Sequence, residues 1–103
     1  MVKKNILVSG ASGIVGYGIL RSLSRNKEDY VLIGTSIYED SVAPAFCDIF
    51  ELALPTNDDN YMDWLCDVIK KHSIDMVISG IEADMFLWNE HREKILSAGA
   101  FPL

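Results

Sequence analysis

The sequence predicts a three-layer α/β domain: an open parallel sheet of four strands in the order 3-2-1-4, with a fifth strand as an option, and helices on both faces. Two observations predict it. Short apolar runs alternate with stretches of helical period along the whole chain, as parallel sheets require. The first apolar run, Ile6-Leu7-Val8, is continuously rather than alternately apolar, as a strand covered on both faces must be, and it leads at once into a glycine-rich turn and a helix.

The first strand is expected over Asn5 to Ser9, and a helix from Ser12 or Gly13 to Ser24 follows the turn, with Ile14, Val15, Ile19, Leu20 and Leu23 as its apolar face. Tyr30 to Gly34 is the second strand. Ser41 to Phe46 has room for one helical turn, limited by Pro44. A third strand over Ile49 to Leu52 ends at Pro55 and the polar cluster Thr56-Asn57-Asp58-Asp59-Asn60, which is expected to cap the next helix. In that helix Tyr61, Trp64, Leu65, Val68 and Ile69 follow the i, i+3, i+4, i+7, i+8 pattern, with acids before it and Lys70, Lys71 and His72 at its end, as the macrodipole favours. Ile74 to Ser79 is the fourth strand. One helix is expected over Ala83 to Ala98, packing through Phe86, Leu87, Ile95 and Leu96 and closed by a left-handed Gly99. Ala100 to Leu103 reads as the opening of a fifth strand or of a linker in a protein that continues.

The 103 residues, 50% hydrophobic and 23% charged, suit one globular domain. Nine basic against fifteen acidic residues give a net charge of −6, which argues against nucleic-acid partners and anionic membranes. No apolar run approaches the ~20 residues of a membrane span, and no signal-peptide pattern opens the chain, so a cytoplasmic location is the expectation. Cys47 and Cys66 lie 19 apart without a CxxC pair, so they are read as reduced, packed thiols, and no metal site is expected.

Gly10-Ala11-Ser12-Gly13-Ile14-Val15-Gly16 is the strongest local signal, because it sits between a buried strand and a helix start, where free N–H groups can hold an anion. The same glycines also serve a purely structural tight turn. The spacing is GxxGxxG rather than GxGxxG, and no acid stands at Ile33, Gly34, Thr35 or Ser36 to accept ribose hydroxyls; Glu39 and Asp40 come late. Arg21, Arg25 and Arg92 are the only arginines, and none is near enough for a 2′-phosphate. Glu82 and Asp84 follow the fourth strand on the edge where such sheets bind ligands; they read either as contacts for a cationic or polyhydroxylated molecule or as first-turn acids of the last helix. His72 and His91 lack catalytic partners at a telling spacing, Trp64 and Trp88 sit at helical packing positions, and no GxSxG elbow frames a nucleophile. No catalytic residue is assigned.

These residues resemble a family. Asn5 to Gly16, Val31 to Gly34, Cys47-Asp48, Leu54-Pro55, Asp75 to Ser79 and the Glu-x-Asp of Glu82 to Asp84 look like the amino-terminal domain of ATP-grasp ligases, more narrowly the carbamoyl-phosphate-synthase-like and biotin-carboxylase-like members. The resemblance implies one Rossmann-like pre-ATP-grasp domain over residues 1–103, inactive alone. It also implies that ATP and magnesium belong to grasp subdomains absent from this chain, which itself holds no cofactor. It further implies a wall of a second-substrate site at Gly10, Ala11, Ser12, Gly13, Glu82 and Asp84, facing a small carboxylate or amine substrate and those missing carboxy-terminal domains, and it leaves a homo-oligomer open. Ile14 and Val15 depart from the polar or acidic residues that several members carry there. The first alternative is an NAD(P)-binding domain of a short-chain reductase or sugar epimerase, and a small-ligand regulatory module is the second.

Overall fold

A computed structural model describes residues 3–11, 13–26, 28–37 and 47–103. Five parallel strands, β1 (Lys4–Val8), β2 (Tyr30–Ser36), β3 (Ile49–Leu52), β4 (Met76–Ile78) and β5 (Phe101–Pro102), form one sheet in the order β3-β2-β1-β4-β5. The expected order is therefore present, and the optional fifth strand exists. β1 pairs with β2 from Lys4↔Tyr30 to Val8↔Gly34 and with β4 from Ile6↔Met76 to Val8↔Ile78, which makes it the central strand and explains its unbroken apolar run. β2 continues two residues past the expected end and pairs Thr35 and Ser36 with β3. The expected helical turn at Ser41 to Phe46 lies outside the described residues.

Successive residues of β1 feed opposite layers, as the pleat demands. Ile6 and Val8 join Leu32 of β2, Ala11 and Leu20 in one core, covered by α1 (Ile14–Leu23). Leu7 joins Ile33 and Val77 in the other, covered by Tyr61, Met62, Leu65, Val68 and Ile69 of α2 (Tyr61–Lys71), Trp88 of α3 (Glu82–Glu90) and Ile95 of α4 (Arg92–Ala98). No helix among the described residues is long and apolar enough to cross a membrane.

The single carboxy-terminal helix of the sequence reading is two helices, divided at His91, whose φ of −111° and ψ of 27° leave the helical region. Neither glycine nor proline marks this break. The inward face of α3 carries Asp84 and Trp88, one turn apart, so Phe86 points outward at 62% exposure; Leu96 is also exposed, and neither packs as expected. Gly99 does close α4 in the left-handed region, at φ 113°. The α2 cap also differs. Asn60 makes no side-chain bond to the helix; instead the Asn60 amide donates to Asp58 Oδ1 at 2.8 Å and the Tyr61 amide to the Asp58 carbonyl.

The base of the sheet is tied by side chains. Asn5 Nδ2 donates to the His72 and Ser73 carbonyls, and the Asn5 amide donates to Asp75 Oδ2 at 2.8 Å. On edge strand β3, Glu51 Oε1 lies 2.9 Å from Lys71 Nζ and 2.7 Å from His72 Nε2, and these bonds, the Lys71 one foremost, hold its carboxyl below the usual carboxylate range. A carboxyl whose pKa is lower in the folded chain adds stability above its unfolded value of about 4.5 and loses it as the pH falls through the folded value. Glu51→Gln therefore lowers the melting temperature at neutral pH, modestly because the pair is half-exposed, and the difference from the parent chain shrinks as the pH falls below about 4.5, so the acid limb is flatter; thermal denaturation across a pH series checks this.

The second constraint is backbone contact at the top of the sheet. Gly10, after β1, has φ 59°, and a Cβ there would stand 2.6 Å from Ile81 Cγ2. A Cβ on Gly16 of α1 would run into the Gly10 carbonyl oxygen, and one on Gly80, after β4, into the Ser9 carbonyl oxygen and to 2.7 Å from Gly16 Cα. Gly18, on the outer face of the same helix, has nothing near it. Gly16→Ala should destabilise by about 2–3 kcal/mol through overpacking against rigid backbone, while Gly18→Ala should stabilise by about 0.5–1 kcal/mol through helix propensity; urea denaturation of the two variants measures the contrast.

Candidate functional site

The glycine contact decides where a ligand has space. In an open α/β sheet the expected crevice lies where the strand order reverses, here between β1 and β4. Gly10, Gly16 and Gly80 close that point, and Ile81 lies over Gly10. The cavity opens beside it, over the carboxyl ends of β1, β2 and β3. Its volume is about 420 Å³, the size of a small-molecule site. Gly10 and Gly13 form one wall, Thr35, Ser36 and Ile37 at the end of β2 the floor, and Ala53 to Thr56 after β3 the far wall, with Ile81 at the rim.

The turn uses several of its own amides. Ala11 N–H donates to the Thr35 carbonyl at 2.9 Å and Gly13 N–H to the Gly10 carbonyl at 2.9 Å, so neither points an unpaired donor at a ligand. Ala11 is fully buried under the α1 layer. Ile14, which opens α1, is 93% exposed and Val15 is exposed beside it, so the first helical turn presents apolar side chains to the outside. Ser12 lies outside the described residues.

Of the two acids after β4, Glu82 is exposed at the first position of α3 and does not line the cleft. Asp84 is 2% exposed and faces inward. Its Oδ1 accepts the Thr56 hydroxyl at 2.6 Å, and it is hydrogen-bonded to the Tyr61 hydroxyl, which also accepts Trp88 Nε1–H at 3.1 Å. Burial first, and the Asp84 carboxylate second, push the Tyr61 hydroxyl far above its ordinary range, so it stays protonated. Thus the structure brings Gly10 and Gly13 to the cleft, puts Asp84 directly behind it, and leaves Ala11 in the core and Glu82 at the surface. Thr35, Ser36, Ile37 and Thr56 are cleft residues that the sequence reading did not single out; Thr56 stood there only as part of a helix-capping cluster.

Among the described residues, those lining the cleft include no lysine, arginine, histidine or carboxylate. Among the described residues, no three His, Cys, Asp or Glu stand close enough to hold a metal ion. The described lining offers an apolar body together with a few hydrogen-bonding groups. Neither cysteine forms a disulfide, and burial raises both thiols, Cys47 beside the Gly34 backbone and Cys66 with Sγ 3.8 Å from the Lys94 carbonyl.

A family model described as the PylC-like, N-terminal domain matches residues 19–103, from inside α1 to the last residue. The chain belongs to this family. PylC is an ATP-grasp ligase, and the PylC-like domain accordingly stands at the amino-terminal end of ligases of that class. The match begins after the glycine-rich turn. A comparison with curated proteins finds no match. Among solved structures, leucoanthocyanidin reductase from Vitis vinifera is similar with a TM-score of 0.61, at 18% identity over 91% of this chain and 28% of that one. L-threonine dehydrogenase from Clostridium difficile also reaches 0.61, at 20% identity over 99% of this chain and 36% of that one. dTDP-glucose 4,6-dehydratase from Bacillus anthracis, solved in complex with NAD, reaches 0.59, at 18% identity over 85% of this chain and 34% of that one. The chain spans about a third of the length of these structures, and the likeness is one of fold.

The buried cluster behind the cleft has a measurable weight. Asp84→Ala orphans the Thr56 and Tyr61 hydroxyls and opens a gap beside Trp88, for an expected loss of about 2–3 kcal/mol; Glu82→Ala, at the surface, should stay within about 0.5 kcal/mol of the parent chain. Denaturant midpoints for both variants provide the check.

Proposed function

We propose that this PylC-like domain is the amino-terminal substrate-binding and structural domain of an ATP-dependent carboxylate–amine ligase, carbamoyl-phosphate-synthase-like and cytoplasmic. In this reading the acyl-phosphate chemistry, ATP and magnesium belong to the grasp subdomains of the same polypeptide. This chain supplies one wall of the second-substrate site and a surface against those subdomains, and a homo-oligomer is compatible with it. The observation that carries the reading is the family match over residues 19–103. The cleft supports it, since the apolar and hydroxyl-bearing side chains among its described residues suit binding and orienting a substrate.

The fold is shared with nucleotide-dependent reductases, yet the chemistry of the described residues favours that reading less. Thr35 and Ser36 end β2, and Ile37 follows it, without a carboxylate for ribose hydroxyls, and the Ala11 and Gly13 amides already have carbonyl partners. A regulatory module would need only the cleft, and the family match is what sets it second.

The full polypeptide carrying this domain should hydrolyse ATP in the presence of a cognate carboxylate and amine, whereas residues 1–103 alone should show no ATPase activity. Calorimetric titration of residues 1–103 with NADH or NADPH should give no saturable heat up to about 1 mM, a concentration that would reveal any binding stronger than roughly 4 kcal/mol. Micromolar binding of either nucleotide would overturn the ligase reading in favour of the reductase one.

A further inference from the structure

We infer that Thr56 is the specificity-determining contact of the cleft and that it selects a hydrogen-bond donor, namely a primary ammonium or amine carried on an otherwise apolar ligand body. The inference rests on reading the cleft as a substrate wall, and adds which end of which substrate class the wall receives.

A threonine hydroxyl has one proton and two acceptor lone pairs. At Thr56 the proton is committed, because Oγ1 donates it to Asp84 Oδ1 at 2.6 Å, in the short range of bonds to a carboxylate. Any further bond to this oxygen must be accepted by it, so a ligand atom that meets it has to bring a proton. Asp84 is buried and is also held by Tyr61, whose hydroxyl is fixed in turn by Trp88 Nε1–H, so the carboxylate is not free to turn away and release the Thr56 proton. A carboxylate behind the hydroxyl, in surroundings of low dielectric, polarises the oxygen further and favours a positively charged partner.

The rest of the lining points the same way. Ile37, Ala53, Leu54, Pro55 and Ile81 supply apolar surface, and the described lining residues include no cation to compensate a ligand carboxylate or phosphate. An anionic group here would meet the Asp84 field with no counter-charge. Asp84 itself, sealed behind Thr56, acts as a positioning residue and does not contact the ligand.

The test titrates the ¹⁵N-labelled 103-residue chain with n-butylammonium chloride, with 2-butanone, which accepts hydrogen bonds but donates none, and with sodium butanoate. The amide signals of Thr56, Ile37 and Ile81 should shift saturably with n-butylammonium, at an affinity at least about tenfold above that for 2-butanone, one charge-assisted hydrogen bond being worth at least that factor. Butanoate should leave them unmoved. Thr56→Val, which keeps the shape and removes the hydroxyl, should lose about tenfold or more in n-butylammonium affinity while holding or improving that for 2-butanone; a merely structural threonine would weaken both probes together. If Thr56→Val does not fold, Thr56→Ser and Asp84→Asn carry the same test: the serine keeps the ammonium preference and the asparagine reduces it. Equal wild-type affinity for n-butylammonium and 2-butanone, an unchanged preference in Thr56→Val, or in Asp84→Asn where the valine variant does not fold, or no saturable shift at these residues up to about 100 mM would each overturn the inference. ATP-dependent ligation by the full polypeptide without this preference would remove the Thr56 inference alone, whereas nucleotide binding by residues 1–103 would remove the ligase reading on which it rests.

Discussion

Backbone meets backbone where β1, α1 and β4 converge, and the rest of the domain is arranged around that contact. Gly16 carries the start of α1 onto the Gly10 carbonyl, and Gly80 brings the end of β4 onto Ser9, with no side chain between them. The tight seat places α1 over Ile6, Val8 and Leu32, and the Gly80 amide completes the join by donating to Ser9 Oγ at 3.2 Å. The same contact fills the crevice that the strand order would otherwise leave open, and Ile81 covers what remains. Ligand space is displaced toward β2 and β3, where backbone and short side chains leave a hollow. A glycine pattern usually read as a ligand cradle is here first a packing device.

The opposite layer is organised by a polar group. Asp84 turns inward with Trp88 one turn on, and that choice of face sends Phe86 to the surface. Burying a carboxylate is costly unless it is bonded, and Thr56 and Tyr61 supply the bonds. The break at His91 then gives α4 its own direction, with Ile95 in the core shared with α2 and Trp88.

Much of this was legible in the residues alone. The continuous apolar character of Ile6 to Val8 marked the central strand, the spacing of Tyr61, Leu65, Val68 and Ile69 marked the inner face of α2, and Gly99 marked the end of α4, because each is a local rule acting on neighbours in sequence. The break at His91 was not legible, since neither proline nor glycine accompanies it. Phe86 misled because apolar periodicity cannot register that a carboxylate has taken the inward position. At the cleft, the glycine-rich turn was visible, but Thr56 was not. Its partner stands 28 residues away in sequence, and a lone threonine in a polar cluster gives no sign of a contact so distant.

Thr56 belongs at once to the surface that a ligand would touch and to a chain of bonds ending at Trp88 in the core. Recognition and folding therefore draw on the same atoms. A lineage exploring new substrates could vary the exposed lining residues Ile37 and Ile81 with little penalty to the fold, but a change at Thr56 would have to be matched at Asp84 and Tyr61. Divergence of preference in this domain should accordingly proceed by substitutions at those exposed positions, with Thr56, Asp84 and Tyr61 drifting only as a set.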